Sequence, residues 1–410
     1  MLHSIINKLK TYDWKKIDVL LLIVVFMLCI IGAFTLKLAG TNMVVNGYKM
    51  GDYYMRAQFK GLLLGLVVII TLTLIDYHFI CQFAPYYFIF GIILTLLTKS
   101  PIGYDYNTDA KRWIRIGGIV FQPTELMKII YIIFFAWLLS KFQRKIVSAQ
   151  TILICIGLTF IPFLAVLSQP DLSSSLVILF VMFVVLYTAG ASYKHIGIFF
   201  GIPIPIFSLL FWYLTRENSI TYNKLWNVYQ FRRVIAWLTK KPEFADNLNY
   251  QSNLSVNAIA SGGLYGKYLA DSGERAGRVY DSVSVRESDF IWAVVGEEFG
   301  FLGCLLIIIL YAILIFRCIQ IAKNAQDYLG KLIAVGISAM FMFQMFTNIA
   351  VATFLFPNTG LPLPFLSSGL SSMLSSMISV GLLINISIQP AKSSKGGLQL
   401  RSHSMDMEII

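Results

Sequence analysis

Residues Ser288–Phe316 read SDFIWAVVGEEFGFLGCLLIIILYAILIF. From Gly303 onward the stretch is unbroken apolar sequence. The whole is long enough to cross a hydrocarbon layer as a helix, which takes roughly 20 residues. Three carboxylates interrupt it, Asp289 at its start and the adjacent Glu297 and Glu298 about two turns deeper. An ionised side chain at mid-bilayer costs at least about 2.5 kcal/mol, so each of the three calls for a partner, a water-filled hollow or a function.

Working outward, the same apolar character recurs from end to end. The 410 residues are 57% hydrophobic and only 13% charged, with a mean hydropathy of +0.71, which excludes a soluble globule built on one core. The alternating pattern of an outer-membrane barrel is absent. The fold class is therefore an all-α polytopic membrane protein of about ten transmembrane helices. The spans fall near 18–38, 60–76, 79–97, 124–141, 150–168, 174–191, 196–215, 289–316, 331–356 and 367–388. This divides the chain into an N-terminal segment 1–17, a membrane domain 18–388 and a tail 389–410. The membrane domain carries a large extracytoplasmic loop, 216–288, between helices seven and eight, too long for a mere connector.

An even number of spans puts both termini on one side. Lys8, Lys10, Lys15 and Lys16 precede the first span, and Lys141, Arg144, Lys145, Arg317, Lys323 and Lys331 fill short loops on that same side. By the positive-inside rule both termini are expected to be cytoplasmic. The first span is followed by no small-residue cleavage site and is expected to stay as a membrane helix. Leu2, Ile5, Ile6, Leu9 and Trp14 fall at helical spacing ahead of it, consistent with either an interfacial helix or a basic tail. The net charge of +12 is scattered over both membrane faces and points to lipid rather than nucleic acid. Five cysteines lie in or at the end of apolar spans without metal or redox spacing, as packing residues do.

With this topology the segments 98–123, 168–173, 216–288 and 357–366 all face outward, and they hold most of the unusual residues. Within the long loop, Leu225–Leu238 spaces its apolar residues as an amphipathic helix lying on the membrane, with Arg232 and Arg233 beside it. A second short helix near 252–260 is stopped by Ser261–Gly263, and the stretch 271–284 reads as mobile.

Asp289 admits two readings: a helix N-terminal carboxylate capping free N–H groups, with Ser288 as the other candidate cap, or a general base or metal ligand at a cavity mouth. Glu297 and Glu298 read chiefly as structural partners of cations, since like charges side by side do not both stay ionised in low dielectric without them. Glu125 and Lys128 lie three apart on one helical face, either as a self-neutralising pair or lining a cavity with Glu125 directed toward Asp289 or a bound polar group. Lys111 and Arg112 are suited to clamp a phosphate, whereas Trp113 and Arg115 read as interfacial anchors. Gln169 and Asp171 flank Pro170 at an outer helix boundary, and Ser367 and Ser368 sit in a small polar cluster after Pro362 and Pro364 that either turns rigidly or re-enters the membrane. Asn348, in span nine, joins the supporting set. The four histidines all fall on the cytoplasmic side of this topology, which argues against a hydrolase triad, and there is no P-loop.

In order, KRWIRIGGIVFQPTELMK (111–128), SQPDLSSSLV (168–177), AIASGGLYGK (258–267), ESDFIWAVVGEEFGFLG (287–303) and NTGLPLPFLSSGLSS (358–372) resemble the signature blocks of the SEDS family, the RodA/FtsW/SpoVE-like proteins. The resemblance implies a ten-helix peptidoglycan glycosyltransferase of the bacterial cytoplasmic membrane, polymerising lipid II at its outer face. Lipid II and the nascent lipid-linked glycan would be its substrates. A class B penicillin-binding protein transpeptidase would be its partner, with other elongation or division machinery. It places the family's essential aspartate on Asp289, its QPSE block on Glu125 and Lys128, its basic pair on Lys111 and Arg112, its QPD block on Gln169 and Asp171, and its paired glutamates on Glu297 and Glu298. Departures mark a divergent member: Ser288 for threonine, Glu287 for histidine, Ser368 for tyrosine, Leu370 and Ser173 for glycines, and Tyr268 inside the family's GKG.

The expected chemistry is attack of an acceptor hydroxyl on a lipid-diphosphate donor, with Asp289 taking the proton. Positive charge on the leaving diphosphate comes from Lys111, Arg112 and loop arginines, or from a divalent cation, magnesium or manganese, held with Asp289. Two other classes fit intramembrane charge and broken helices: a flippase for the same lipid, and a non-catalytic scaffold for the transpeptidase.

Overall fold

The computed structural model describes residues 11–390 except 46, 105–110, 117–118, 144–145, 147, 170, 271–276 and most of 193–248. Among the described residues, seven helices are long and apolar enough to span a membrane: α1 (Val19–Ala39), α2 (Met50–Leu74), α5 (Pro123–Lys141), α6 (Ala149–Leu167), α10 (Ile291–Asn324), α11 (Tyr328–Ala352) and α12 (Leu370–Ile388). Two shorter apolar helices, α4 (Ala84–Leu97) and α7 (Leu172–Thr188), fill the expected third and sixth spans. The seventh, expected at 196–215, and most of the amphipathic helix at Leu225–Leu238 lie outside the described residues, as do the first ten residues and the tail. Small helices complete the set: α3 (Tyr77–Gln82), α8 (Tyr250–Ser261) and α9 (Lys267–Ala270). The second and eighth spans run longer than their apolar cores suggest, because α2 begins with the polar turn from Met50 and α10 continues to Asn324.

Burial sorts the helices into a centre and a rim. In the membrane-length windows of α5 and α12, 83% of the residues are buried inside the protein, against 33% for α2 and α10. The central pair therefore meets other helices on nearly every face, and the rim helices give one face to lipid. That is why α5, rather than a rim helix, can hold Glu125 and Lys128 away from hydrocarbon. Small residues let the rim close on the centre: Gly61 and Gly65 of α2 lie against Met373 and Met377 of α12.

Strands, which the apolar pattern did not announce, occur at the Asp289 end of the bundle. A hairpin pairs β1 (Val44–Val45) with β2 (Tyr48–Lys49), and a three-stranded antiparallel sheet is formed by β3 (Gly103–Tyr104), β4 (Trp113–Ile116) and β5 (Ile119–Phe121). The sheet leads directly into α5, with Gln122 as the residue before Pro123 and its N–H donated to Ser371 Oγ at 2.9 Å.

The opposite end is fastened by a polar knot. Asn385 of α12 donates to the carbonyls of Leu72, Thr73 and Ile75 and accepts the Tyr77 N–H, tying the α2–α3 corner to the last helix. His78 bridges two carboxylates, Nδ1 to Asp76 at 2.8 Å and Nε2 to Asp327 at 2.6 Å, while Asp327 also takes the Tyr77 hydroxyl and caps α11 through the Gly330 N–H. Burial opposes the imidazolium, but the hydrogen bonds and charges of Asp327 and Asp76 outweigh it and push His78 up to about 9. A histidine raised in this way contributes stability that is whole below its ordinary value of 6.5 and fades as pH rises through about 9. Thermal melting of purified protein is expected to show that loss between those limits, with a midpoint a few degrees lower at the alkaline end. His78→Gln should flatten this pH dependence, and an unchanged slope would show that the bridge contributes nothing.

Candidate functional site

Asp289 stands two residues ahead of α10 and does not cap it: the N-terminal residue is Phe290, with no side-chain cap. The capping reading of Ser288 and Asp289 is thereby set aside. What holds the segment is a tight turn. Val285 adopts φ 55, a left-handed conformation that is unusual for a β-branched residue, and its carbonyl accepts the N–H groups of Ser288 and Asp289, both at 3.1 Å. The turn is then sewn to the Pro-rich segment 357–369. Ser368 donates its N–H to the Glu287 carbonyl at 2.8 Å, and the Ser367 hydroxyl donates to the Ser288 carbonyl at 2.6 Å. Asn348 of α11 donates to the carbonyls of both Asp289, at 3.0 Å, and Leu361, at 2.8 Å.

The Pro-rich segment is itself packed into the bundle. Leu361, Leu363, Phe365 and Leu366 are buried, Gln58 donates to the Phe365 carbonyl and Tyr311 to that of Pro364. Of the two readings of this segment, insertion beside the site is the one its burial supports.

With the backbone fixed, the carboxylate is left to meet polar side chains from other segments. Its Oδ1 accepts the Ser288 hydroxyl at 2.9 Å. A methyl group placed on Gly360 would lie 3.0 Å from Asp289 Oδ2 and 3.6 Å from Arg112 Nη1, so the aspartate and the guanidinium converge above this residue, whose φ of 72 also favours glycine. Arg233 reaches the same turn from the long loop and donates to the Asn358 carbonyl at 2.8 Å. Ser173 donates to the Thr359 carbonyl at 2.8 Å, and Asp171 caps α7 by accepting the Ser174 N–H at 3.0 Å. Burial pushes the Asp289 carboxyl above the ordinary aspartate range. The Ser288 hydroxyl and the charges of Arg112 and Arg233 pull it back, and the Glu287 charge adds to the rise. Asn358 Oδ1, Thr359 Oγ1 and Asn348 Oδ1 are buried without a hydrogen-bond partner among the described residues, acceptors that water or a polar ligand would satisfy.

The expected site residues thus separate. Asp289, Arg112, Asn348, Ser367, Ser368 and, through Ser173, the Asp171 turn meet around Gly360. Lys111 is exposed, and of the basic pair only Arg112 acts on the aspartate. Gln169 anchors its turn by donating to the Thr95 carbonyl. Glu125 is not directed toward Asp289: it bonds Lys128 at 2.8 Å and Ser375 at 3.2 Å within the bundle, where both members of the pair are buried. Glu297 and Glu298, both fully buried, take cations from the long loop, Lys267 and Arg278 respectively. Gly360 and Val285 were missed, and Arg233 was covered only among the loop arginines. Arg233 reads in sequence as an interfacial residue, and nothing local marks Val285 as strained. The segment 277–284, expected to be mobile, includes the buried Arg278, Tyr280 and Val283.

Breaking a buried ion pair on one side leaves an uncompensated charge. Lys128→Met is expected to destabilise the purified protein by about 3–5 kcal/mol, and the double variant Lys128→Met with Glu125→Leu to recover most of that loss. Thermal melting checks both. Equal melting of single and double variants would mean that the pair is not coupled.

Known proteins share this arrangement over nearly its full length. The family model of cell cycle proteins, FtsW/RodA/SpoVE, matches residues 18–392. A relative from Trichlorobacter lovleyi, named probable peptidoglycan glycosyltransferase FtsW, is 31% identical over 387 residues, covering 92% of this chain and 95% of its own. Stage V sporulation protein E of Bacillus subtilis is 31% identical over 375 residues, covering 90% and 96%. A chain from a solved structure of a peptidoglycan synthase complex, concerned with coordination of polymerization and crosslinking, superposes with a TM-score of 0.71 at 25% identity, covering 92% of this chain and 97% of that one. With the family model spanning nearly every helix and the five sequence blocks distributed through the same fold, the chain belongs to the FtsW/RodA/SpoVE family of cell cycle proteins.

Proposed function

We propose that this chain is a peptidoglycan glycosyltransferase that polymerises lipid II, and that Asp289 is its general base. The observation that carries the assignment is the partly buried carboxylate facing two guanidinium groups, Arg112 and Arg233, over the Gly360 turn. The name of the Trichlorobacter lovleyi relative, a probable peptidoglycan glycosyltransferase, supports the substrate class.

The acceptor sugar's hydroxyl oxygen attacks the anomeric carbon of the lipid-linked donor, and its proton passes to Asp289. The bond from that carbon to the diphosphate oxygen breaks, and the diphosphate departs on its lipid carrier. A general base has to lie within hydrogen-bond reach of the proton it takes. An aspartate raised by burial is a better proton acceptor than a free one, and the arginines limit the rise. Arg112 and Arg233 bring charge to the departing diphosphate, for which planar guanidinium donors are matched in geometry.

Glu287 is an acidic influence on Asp289, and no group of three metal-ligating side chains occurs among the described residues. A magnesium or manganese ion at Asp289 would therefore draw most of its oxygens from the substrate's diphosphate and would supply Lewis-acid stabilisation of that leaving group.

The membrane domain 18–388, with both termini cytoplasmic, would set this site at the outer face of a bacterial cytoplasmic membrane. The solved complex's title, which couples polymerization to crosslinking, supports a class B penicillin-binding protein as the partner.

Purified protein with its transpeptidase partner and labelled lipid II is expected to yield glycan polymer. Asp289→Asn should reduce the initial rate by at least about 100-fold, and Arg112→Met by roughly tenfold or more. Because the base works ionised, the wild-type rate should fall as pH drops through the raised Asp289 value, leaving an acid limb above the ordinary aspartate range. Polymer made undiminished by Asp289→Asn would remove the assignment. Wild-type protein that moves lipid II across a bilayer without polymerising it would establish the flippase reading instead.

A further inference from the structure

The paired glutamates are not used by the chemistry above, and their partners are unusual for charges inside a spanning helix. Among the described residues, none comes from a neighbouring span. Glu297 accepts the N–H groups of Val279 and Tyr280, both at 2.9 Å, and pairs with Lys267. Glu298 accepts Arg278 Nε at 3.0 Å and the Tyr280 hydroxyl at 2.7 Å. Every one of these donors belongs to the extracytoplasmic stretch 267–280.

The helix is also cut immediately below them. Gly300 has φ 65 and ψ −162, so α10 is two helices in series, an outer piece over Ile291–Phe299 and a long inner one. At the cut, the N–H groups of Phe301 and Leu302 leave the helical ladder and donate to the carbonyls of Gly263 and Leu264, at 2.9 and 3.2 Å. The loop fits there only because it lacks side chains: a methyl group on Gly266 would sit 2.2 Å from the Glu298 carbonyl oxygen, and one on Gly262 would sit 1.9 Å from that of Gly296. The outer piece is thus freed from the register of the inner helix, and loop contacts fix it instead. Asp289 stands two residues ahead of it and eight residues from Glu297.

The same loop stretch runs on into the Asp289 turn. Tyr280, held by both glutamates, lies under the Arg286 guanidinium at 5.8 Å, and Arg286 donates to the Ala39 carbonyl at 2.7 Å. Arg286 is followed by Glu287, Ser288 and Asp289.

We propose that Glu297 and Glu298 are positioning residues for Asp289: they clasp the outer half of α10 to the loop stretch 267–280 and so set the distance of Asp289 from Arg112 and Arg233. Simple neutralisation of intramembrane charge explains neither the exclusive use of loop donors nor the break in the helix beside them. The inference rests on Asp289 being the general base.

The groups that face Asp289 are Arg112 and Arg233, which stabilise its ionised form, Glu287, which opposes it, and the Ser288 hydroxyl. If the clasp is loosened, Asp289 moves relative to the arginines and the acid limb of the rate profile moves with it. Glu298→Gln and Tyr280→Phe weaken the clasp to different degrees. Initial rates of lipid II polymerisation by each purified variant with its partner, measured across pH, are expected to show kcat lower by about tenfold and threefold respectively, with KM within about twofold of wild type. The acid limb should lie higher in Glu298→Gln than in wild type, as an aspartate drawn away from guanidinium groups requires. The position of that limb does not depend on how much of the preparation is folded, so partial misfolding cannot imitate it. Profiles of both variants that superimpose on wild type after scaling would overturn the proposal while leaving Asp289 as base. A wild-type profile with no acid limb would instead remove the base assignment, and the clasp proposal with it.

Discussion

A carboxylate at the edge of a hydrocarbon layer persists only if its charge is answered and the backbone beside it has no unsatisfied groups. Everything around Asp289 follows from that constraint. Its own N–H and that of Ser288 are taken by Val285, its carbonyl by Asn348, and the carbonyls on either side of Ser288 by Ser367 and Ser368. Once each of these is paired, the side chain has no structural duty left, and it lies between guanidinium groups over a residue whose Cβ would crowd it. The same rule governs α10 two turns on. A break in a spanning helix exposes N–H groups, and here a glycine-lined loop enters to receive them.

The arrangement distributes work between the two ends of the bundle. The Asp289 end is built from turns, short strands and loop donors, elements whose positions depend on one another. The far end is fastened directly, by Asn385, by His78 between Asp76 and Asp327, and by the Asp18–Arg317 ion pair at 2.8 Å. Between them α5 and α12 form the least lipid-exposed pair, with Glu125, Lys128 and Ser375 satisfied among themselves.

Much of this was legible in the sequence, and the division follows the physics. Apolar runs of membrane length name their own helices, so the spans from α1 to α12 were readable wherever the structure describes them. The i,i+3 spacing of Glu125 and Lys128 announced their pair, although not that it would be closed to Asp289. The contribution of Arg233 was hidden, since its distance from Asp289 in the chain is bridged only when the Asn358 turn folds over the long loop. Arg278 and Tyr280 were hidden too, lying in a polar, glycine-containing stretch that looks unstructured until two buried carboxylates are seen to need donors. The short strands before α5 are set by pairing across a loop, such as Ile114 with Phe121, which no local periodicity records.

The account turns on Asp289 meeting the acceptor sugar beside Arg112 and Arg233. Its most direct test is a structure of the protein with a non-reactive donor and an acceptor bound together. The prediction is an Asp289 carboxylate oxygen within about 2.6–3.2 Å of the attacking hydroxyl, directly or through one water, and the donor's diphosphate against Arg112 and Arg233. An acceptor hydroxyl bound well away from Asp289, with the diphosphate held by other residues, would contradict it.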